Sequence, residues 1–372
     1  MINAVLVMFV FMAGLAAQPQ PTTIPEMWDA WCARCHAADG SGKVAEPTIT
    51  VESMDFTDCK VATPEPDADW ELAIAAGGPA VGLSSEMPAF GDSLSSDQIR
   101  QFVAHMRGLC KETGWPLGNN NFPRPIFTEK AFPENELVIL PMITHRTPEV
   151  IALGGSPVPA NSSLTDVNLV AIYERRFGKR GMWEVALPLA SHDTTSSVRR
   201  QGVGDVEVAV KYVLHAAPGS SAPDHQRPPR IISAGLEVAL PTGSEVRGLG
   251  RGTTMVEPYL AAGTMVGNVY LQAQTKVEWP VDRARADRAF VYNLYAGSDT
   301  SSAPNTWTLG LELNGENDEL ALTPQLRKGL TKTGALGAAI GVQIPLNERR
   351  ARGTSAVGYL LWEYLEPVRA RR

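Results

Sequence analysis

Nowhere does this 372-residue chain hold the run of about 20 apolar residues that a membrane-spanning helix needs. The apolar stretch from Val5 to Ala17 is too short and ends on small residues, Gly14-Leu15-Ala16-Ala17. It has the form of a secretory signal peptide over residues 1–17, with cleavage near Ala16 or Ala17, although Met1-Ile2-Asn3 lacks Lys and Arg. Metal-binding side chains are scarce, with four cysteines and six histidines. Only one Cys-x-x-Cys occurs, and no histidine outside it lies near enough in sequence to complete a zinc site. There is no nucleophile triad, phosphate loop or carboxylate pair of specific spacing. His145, His192, His215 and His225 are scattered and read as structural.

What is present is concentrated in Cys32-Ala33-Arg34-Cys35-His36. Two cysteines two residues apart, followed at once by histidine, form the haem c attachment signature. Each thiol can add across one vinyl group of the porphyrin, and the next side chain then falls under the iron. Export suits both this attachment and disulfides. The remaining pair, Cys59 and Cys110, is therefore a disulfide candidate, with two free buried thiols as the alternative.

The segment 24–115 resembles a class I cytochrome c domain, over about a quarter of the chain. Pro25 to Trp31 has the pattern of a short helix leading into the motif, with Met27 and Trp31 on one face. The glycine-bearing turn Ala37-Ala38-Asp39-Gly40-Ser41-Gly42-Lys43 follows His36, and Asp55-Phe56-Thr57 recurs in such domains. The resemblance gives Pro47 the role of accepting from the second ring nitrogen of His36, a contact that fixes the ligand ring. It makes Met87, in Glu86-Met87-Pro88-Ala89-Phe90, the second axial ligand, ahead of His105. Ser95 to Gln98 form a capping box, and Ile99, Phe102, Val103, Met106 and Leu109 then mark the last helix. One haem c held by Cys32, Cys35, His36 and Met87 would have no open coordination site. The resemblance thus implies an electron carrier rather than a catalytic iron.

Charge is divided unevenly. Residues 18–112 hold fifteen acids against six bases, so this segment carries more than the whole net charge of −7. Such a surface disfavours nucleic acid and favours a redox carrier or enzyme with a basic surface.

Residues 116–164, rich in Asn, Pro and Gly at their start, read as a linker and lead-in. Beyond them the period becomes two. Val269, Leu271, Ala273, Thr275, Val277 and Trp279 alternate with Tyr270, Gln272, Gln274, Lys276 and Glu278. Trp183 to Leu189, Asp205 to Tyr212, Leu236 to Leu240 and Trp307 to Leu313 repeat the pattern, and no helical segment interrupts them. About twelve antiparallel strands are expected over 165–367, followed by a basic tail at 368–372. The strands approach the about 9–11 residues that cross a bilayer. All eight tyrosines lie in this half, as in an aromatic girdle. Phrases such as Gly235-Leu236-Glu237-Val238-Ala239-Leu240-Pro241-Thr242-Gly243 resemble bacterial outer-membrane barrels. The inner face would then carry Glu184, Glu207, Glu237, Glu278 and Glu312 with Lys211 and Lys276, a set suited to a cation, although any one of them reads as solvated surface.

The expected fold is therefore a small all-α cytochrome c domain followed by an all-β antiparallel transmembrane barrel. Together the halves resemble bacterial fused cytochrome–porins, including those of iron oxidisers, with a larger haem segment and a smaller barrel. That resemblance implies an outer-membrane protein that faces lipid and holds its haem domain in the periplasm. There it would relay electrons between a partner reached through the barrel and periplasmic carriers; as an enzyme it would be an oxidoreductase such as an iron oxidase. A haem domain about 25 Å across is too wide for the lumen, from a radius of gyration of about 13 Å, and is expected at the periplasmic mouth. The alternative is a soluble periplasmic cytochrome whose β domain binds a redox enzyme.

Overall fold

The computed structural model describes residues 21–44, 50–147, 149–151, 157–159, 163–193, 198–219, 227–347 and 352–364. The signal peptide (1–17), Pro47, His225 and the basic tail (368–372) lie outside them.

Short helices make up the first part: α1 (Ile24–Met27), α2 (Ala33–His36), α3 (Cys59–Ala62), α4 (Asp67–Ala76) and α5 (Ser96–Arg107). Thr23 with Glu26, and Ser95 with Gln98, close the capping boxes that start α1 and α5. Trp28, Phe56, Trp70, Ile74, Leu94, Phe102, Val103 and Met106 form one buried core. Contrary to the helix expected over 25–31, the chain makes a π-helical turn at Trp28–Cys32. The wider turn rotates the face by one residue. Trp28 is therefore buried beside Met27, and Trp31 is half-exposed.

The second part is a closed antiparallel barrel. Its twelve long strands are β1 (Glu136–Arg146), β4 (Leu164–Phe177), β5 (Gly181–Asp193), β7 (Val206–Ala217), β8 (Arg230–Leu240), β9 (Met255–Val266), β10 (Val269–Pro280), β11 (Ala289–Asp299), β12 (Trp307–Glu316), β13 (Glu319–Gly329), β14 (Leu336–Pro345) and β15 (Thr354–Glu363). Each pairs with its sequence neighbour in this series, and β1 pairs with both β4 and β15, which closes the sheet. Short β6 (Arg199–Val203) continues the β7 line beside β5, and β2 (Glu149–Ile151) and β3 (Pro157–Pro159) form a separate hairpin. No edge strand remains in the barrel.

The two faces of the barrel wall are inverted relative to a water-soluble barrel. Outside stand Leu294 (51% exposed), Leu309 (59%) and Ile340 (68%). Inside, Glu174, Lys211, Ser233, Glu312 and Thr323 are almost wholly covered. An apolar exterior around a polar interior is the arrangement of a barrel surrounded by lipid. No described helix is long and apolar enough to cross a membrane. At one rim Tyr173 stacks on Tyr364 at 5.6 Å, flanked by Trp183 and Trp362, an aromatic belt. The girdle expected from all eight tyrosines is only partly formed, because Tyr259, Tyr295 and Tyr359 point inward. Tyr259 and Tyr295 lie over Gly235 and Gly310 on neighbouring strands, where a Cβ would be 2.2 and 2.6 Å from the rings.

The expected linker and lead-in at 116–164 needs correction. Residues 136–146 are the first barrel strand, so the β domain begins at 136 rather than 165. Residues 118–135 are not a linker either; Phe122, Ile126, Ala131 and Phe132 are buried within the barrel. Irregular backbone can be buried only when its polar groups find partners. Here the inner polar face supplies them. Asn, Pro and Gly remove regular periodicity, which is why the segment looks like a spacer in sequence.

The helical part packs on the rim at which β1 begins and β15 ends. Gly118 N–H donates to Thr63 O at 2.7 Å, and Asn119 and Asp67 exchange two 2.8 Å bonds. From the β4–β5 turn, Arg180 donates to Gly114 O at 2.7 Å and Lys179 pairs with Glu112 at 3.2 Å.

Candidate functional site

Two sites emerge, a cleft in the helical part and the filled lumen. The cleft is lined by Trp28, Trp31, Cys32, His36, Ile74, Met87, Phe90, Leu94, Phe102 and Met106. The π-helical turn ends at Cys32, so it sets where the first thiol enters the cleft wall. Cys35 and His36 follow on α2. Both motif thiols are free, whereas Cys59 and Cys110 form a disulfide with Cα atoms 5.2 Å apart.

After His36 the chain reverses sharply. Gly42 N–H returns to His36 O at 3.0 Å with φ at +67°, and a Cβ there would meet Ser53 O at 2.4 Å. Glycine is required at that position. Phe56 donates its N–H to Gly40 O at 2.9 Å and sets its ring 5.2 Å from the His36 ring. Burial lowers the His36 pKa below the usual imidazole value, which favours the neutral ring. Its Nδ1 is buried without a hydrogen-bond partner among the described residues. Burial, with Cys35 next, pushes the Cys32 thiol up to about 11. His105 packs against Trp28 at 5.2 Å and does not line the cleft.

Met87 reaches the same cleft from a loop braced on itself. Gly78 N–H donates to Met87 O at 3.1 Å, and Phe90 N–H donates to Ile74 O at 2.9 Å. The arrangement therefore brings one imidazole, one thioether and the Cys32 thiol to a single apolar cleft, with Cys35 one residue before His36 on α2.

In the lumen, Glu312 is fully buried and accepts from the backbone N–H groups of Ile126 (2.7 Å), Phe127 (3.1 Å) and Thr128 (2.8 Å), and from the Thr128 hydroxyl (2.7 Å). Gln272 donates to Pro123 O at 2.8 Å and Tyr359 to Arg124 O at 2.7 Å. Lys211 bonds Glu129 and Lys130 O, both at 2.6 Å. Arg124 pairs with Glu136 at 2.9 Å and with Glu174.

The five expected inner-face glutamates do face inward, but they are not one cation site. Glu312 is taken up by the inserted segment. Glu237 and Glu278, with Glu257, surround Lys276, and Arg251 also reaches Glu278 at 2.6 Å. Oxygens of Glu134, Glu136 and Glu363 lie within 4.8 Å of one another, yet Lys130 already supplies a cation to the first two at 2.7 and 3.2 Å.

Comparison with known proteins adds fold likeness only. No family profile and no curated protein matches the sequence. An outer membrane channel from Pseudomonas putida F1 is 14% identical, covering 65% of this chain and 100% of its own, at a TM-score of 0.46. The NanC porin is 10% identical over 61% of this chain and 100% of its own, at 0.39. The KdgM porin is 9% identical over 61% and 99%, at 0.36. These are distant likenesses; closure and the inverted faces are properties of this barrel itself.

The inserted segment and its Glu312 anchor are what sequence reasoning missed. The available signal was the pair of apolar clusters, Ile126-Phe127 and Ala131-Phe132, inside an otherwise polar stretch.

The junction between helical part and rim carries a pH dependence. Burial, then Asp69 and Glu134, push the Glu65 carboxyl up to about 7 against the opposing pull of Arg107. A carboxyl with a raised folded pKa favours folding while protonated. Its contribution is present at low pH and is lost as pH rises from the ordinary 4.5 through about 7. Glu65→Gln is expected to stabilise the protein by about 3 kcal/mol at pH 8 and by less than about 1 kcal/mol at pH 5. Thermal melts of parent and variant across that range, followed by near-ultraviolet circular dichroism, check the flattened slope.

Proposed function

We propose that this chain is a haem c electron-transfer protein of the bacterial outer membrane, with its barrel in lipid and its helical part at the periplasmic mouth. The carrying observation is the cleft that Cys32, His36 and Met87 line together, with the second free thiol, Cys35, beside His36 on α2. That donor set fits a covalently attached porphyrin. Cys32 and Cys35 would hold it as thioethers, with His36 and Met87 on the iron. The uncommitted Nδ1 of His36 fits an acceptor such as the Pro47 carbonyl. When bound, the haem supplies a one-electron iron couple, and two protein ligands leave no site for substrate. Phe90, Leu94 and Phe102 keep water from the cleft. The reading is therefore a carrier rather than an enzyme.

An even number of strands brings both barrel ends to one rim, the periplasmic side in bacterial barrels, and the helical part docks there. The segment 118–135 stands in the way of a solute path through the lumen. The redox partner is accordingly placed on the periplasmic side, where the acidic surface suits a basic carrier or enzyme. One haem cannot bridge a hydrocarbon layer of about 30 Å alone. The apolar exterior favours lipid over the soluble alternative.

The test is expression in a host that attaches haem c, followed by membrane fractionation and haem staining. The expected result is a haem-stained band in the outer membrane that disappears with Cys32→Ala plus Cys35→Ala. Met87→Ala should keep the stain and lower the midpoint potential. A parent without covalent haem defeats the relay, and recovery in the soluble periplasm defeats the anchor.

A further inference from the structure

We propose that the turn between β13 and β14 positions Met87, so that the end of the barrel holds the methionine side of the cofactor cleft closed; this rests on the haem reading above. Three links carry the idea. Lys332 Nζ, on that turn, donates to Pro79 O at 3.1 Å. Gly82, at φ +75°, presses on the same turn: a Cβ there would lie 3.0 Å from Thr333 Cγ2 and 3.3 Å from Lys332 Cβ. Pro79 lies within, and Gly82 caps, the 3₁₀ turn Gly78–Val81, whose first residue holds the Met87 carbonyl through its N–H at 3.1 Å. Leu83 N–H closes the turn onto Gly78 O at 2.8 Å, and a Cβ on Gly78 would sit 3.1 Å from Met87 Cβ.

The loop is thus a lever with two working ends. Met87 lies at one end, and the barrel turn bears on the other. Between them the limbs touch at Gly78 without room for a side chain, so displacement at Pro79 is passed to the Met87 backbone. Thioether sulfur is a weak neutral ligand, and its hold on iron depends on the loop that presents it. Lys332 and Thr333 are positioning residues here, since neither lines the cleft.

The experiment uses the full-length haem-loaded protein in detergent, with Lys332→Ala, Lys332→Arg and the double variant Lys332→Ala plus Thr333→Gly. Haem c content is measured in every sample as the pyridine haemochrome. Added imidazole then displaces Met87 from ferric haem, followed by loss of the weak far-red band given by thioether ligation. Lys332→Ala is expected to speed displacement about threefold to tenfold, the worth of one net hydrogen bond. The double variant should be faster still and lower in midpoint potential, and Lys332→Arg, which keeps a donor, should return the rate toward the parent. Displacement at the parental rate and an unchanged potential in the double variant overturn the inference while leaving the haem reading intact. A parent without haem c overturns the haem reading instead. A parent with haem c but without the far-red band removes Met87 as ligand and this inference with it.

Discussion

Replacing Glu312 by alanine should release the segment that fills the barrel and open the lumen to ions. Glu312 is the common acceptor for the amides of three consecutive residues, Ile126, Phe127 and Thr128, and for the Thr128 hydroxyl. All of these donors are covered by the barrel wall. A buried donor left without a partner costs about 1–3 kcal/mol. Three orphaned amides therefore cost about 3–9 kcal/mol before any water enters. The remaining tethers on this segment act on other residues, at Pro123, Arg124 and Glu129 to Ala131. They cannot rotate to satisfy 126–128. The least costly response is withdrawal of the 126–128 strip from the wall. In planar bilayers the variant should show a several-fold higher single-channel conductance than the parent. Glu312→Gln should fall between them, because it keeps one acceptor oxygen but turns an amide donor toward other donors. A Glu312→Ala channel with parental conductance would show that the segment is held without this carboxylate.

How much of this was legible in the sequence follows from what each feature needs. The barrel strands announce themselves because a strand with one face in lipid and one facing the lumen alternates by chemistry as well as by geometry. Val269 to Trp279 shows this: Leu271, Val277 and Trp279 are exposed on the outside, and Gln272, Gln274 and Glu278 are covered on the inside. Alternation alone leaves open which face is out, and the closed sheet resolves it. The cleft residues were readable because Cys32, Cys35 and His36 are fixed by local spacing. Met87 was nameable through a resemblance, yet the loop that carries it is set by Gly78 and by Lys332 on a turn some 250 residues away. The inserted segment was not legible for a different reason. Its partners, Glu312, Gln272, Ser233 and Lys211, come from separate strands, and each reads locally as an ordinary solvated residue. Only closure of the barrel gathers them. Strand β1 was lost with it: Glu136-Leu137-Val138-Ile139-Leu140-Pro141 has no polar alternation until Thr144, because Val138 meets the apolar side of the inserted segment at Ile126.

A charge placed on the outer face separates lipid from water as the surroundings of this barrel. Leu294 stands midway along β11, is 51% exposed, and pairs across to Ala273 and Leu313. If the wall faces lipid, Leu294→Arg puts a guanidinium near the bilayer midplane at a cost of about 2–4 kcal/mol. If the wall faces water, the same change at an exposed site lies within about ±0.5 kcal/mol. Those ranges do not overlap, so one variant decides. Leu309 calibrates depth, since it is the third residue of β12, close to the rim, and is 59% exposed. Leu309→Arg should cost only about 0–1 kcal/mol, because a long side chain there reaches the interface. Urea titration of the protein folded into phosphatidylcholine vesicles measures both variants against the parent. A costly Leu294→Arg beside a mild Leu309→Arg gives the depth profile of a hydrocarbon layer. Two mild effects would place the outer face in water and return the molecule to a soluble cytochrome whose exposed leucines must then be covered by a partner protein.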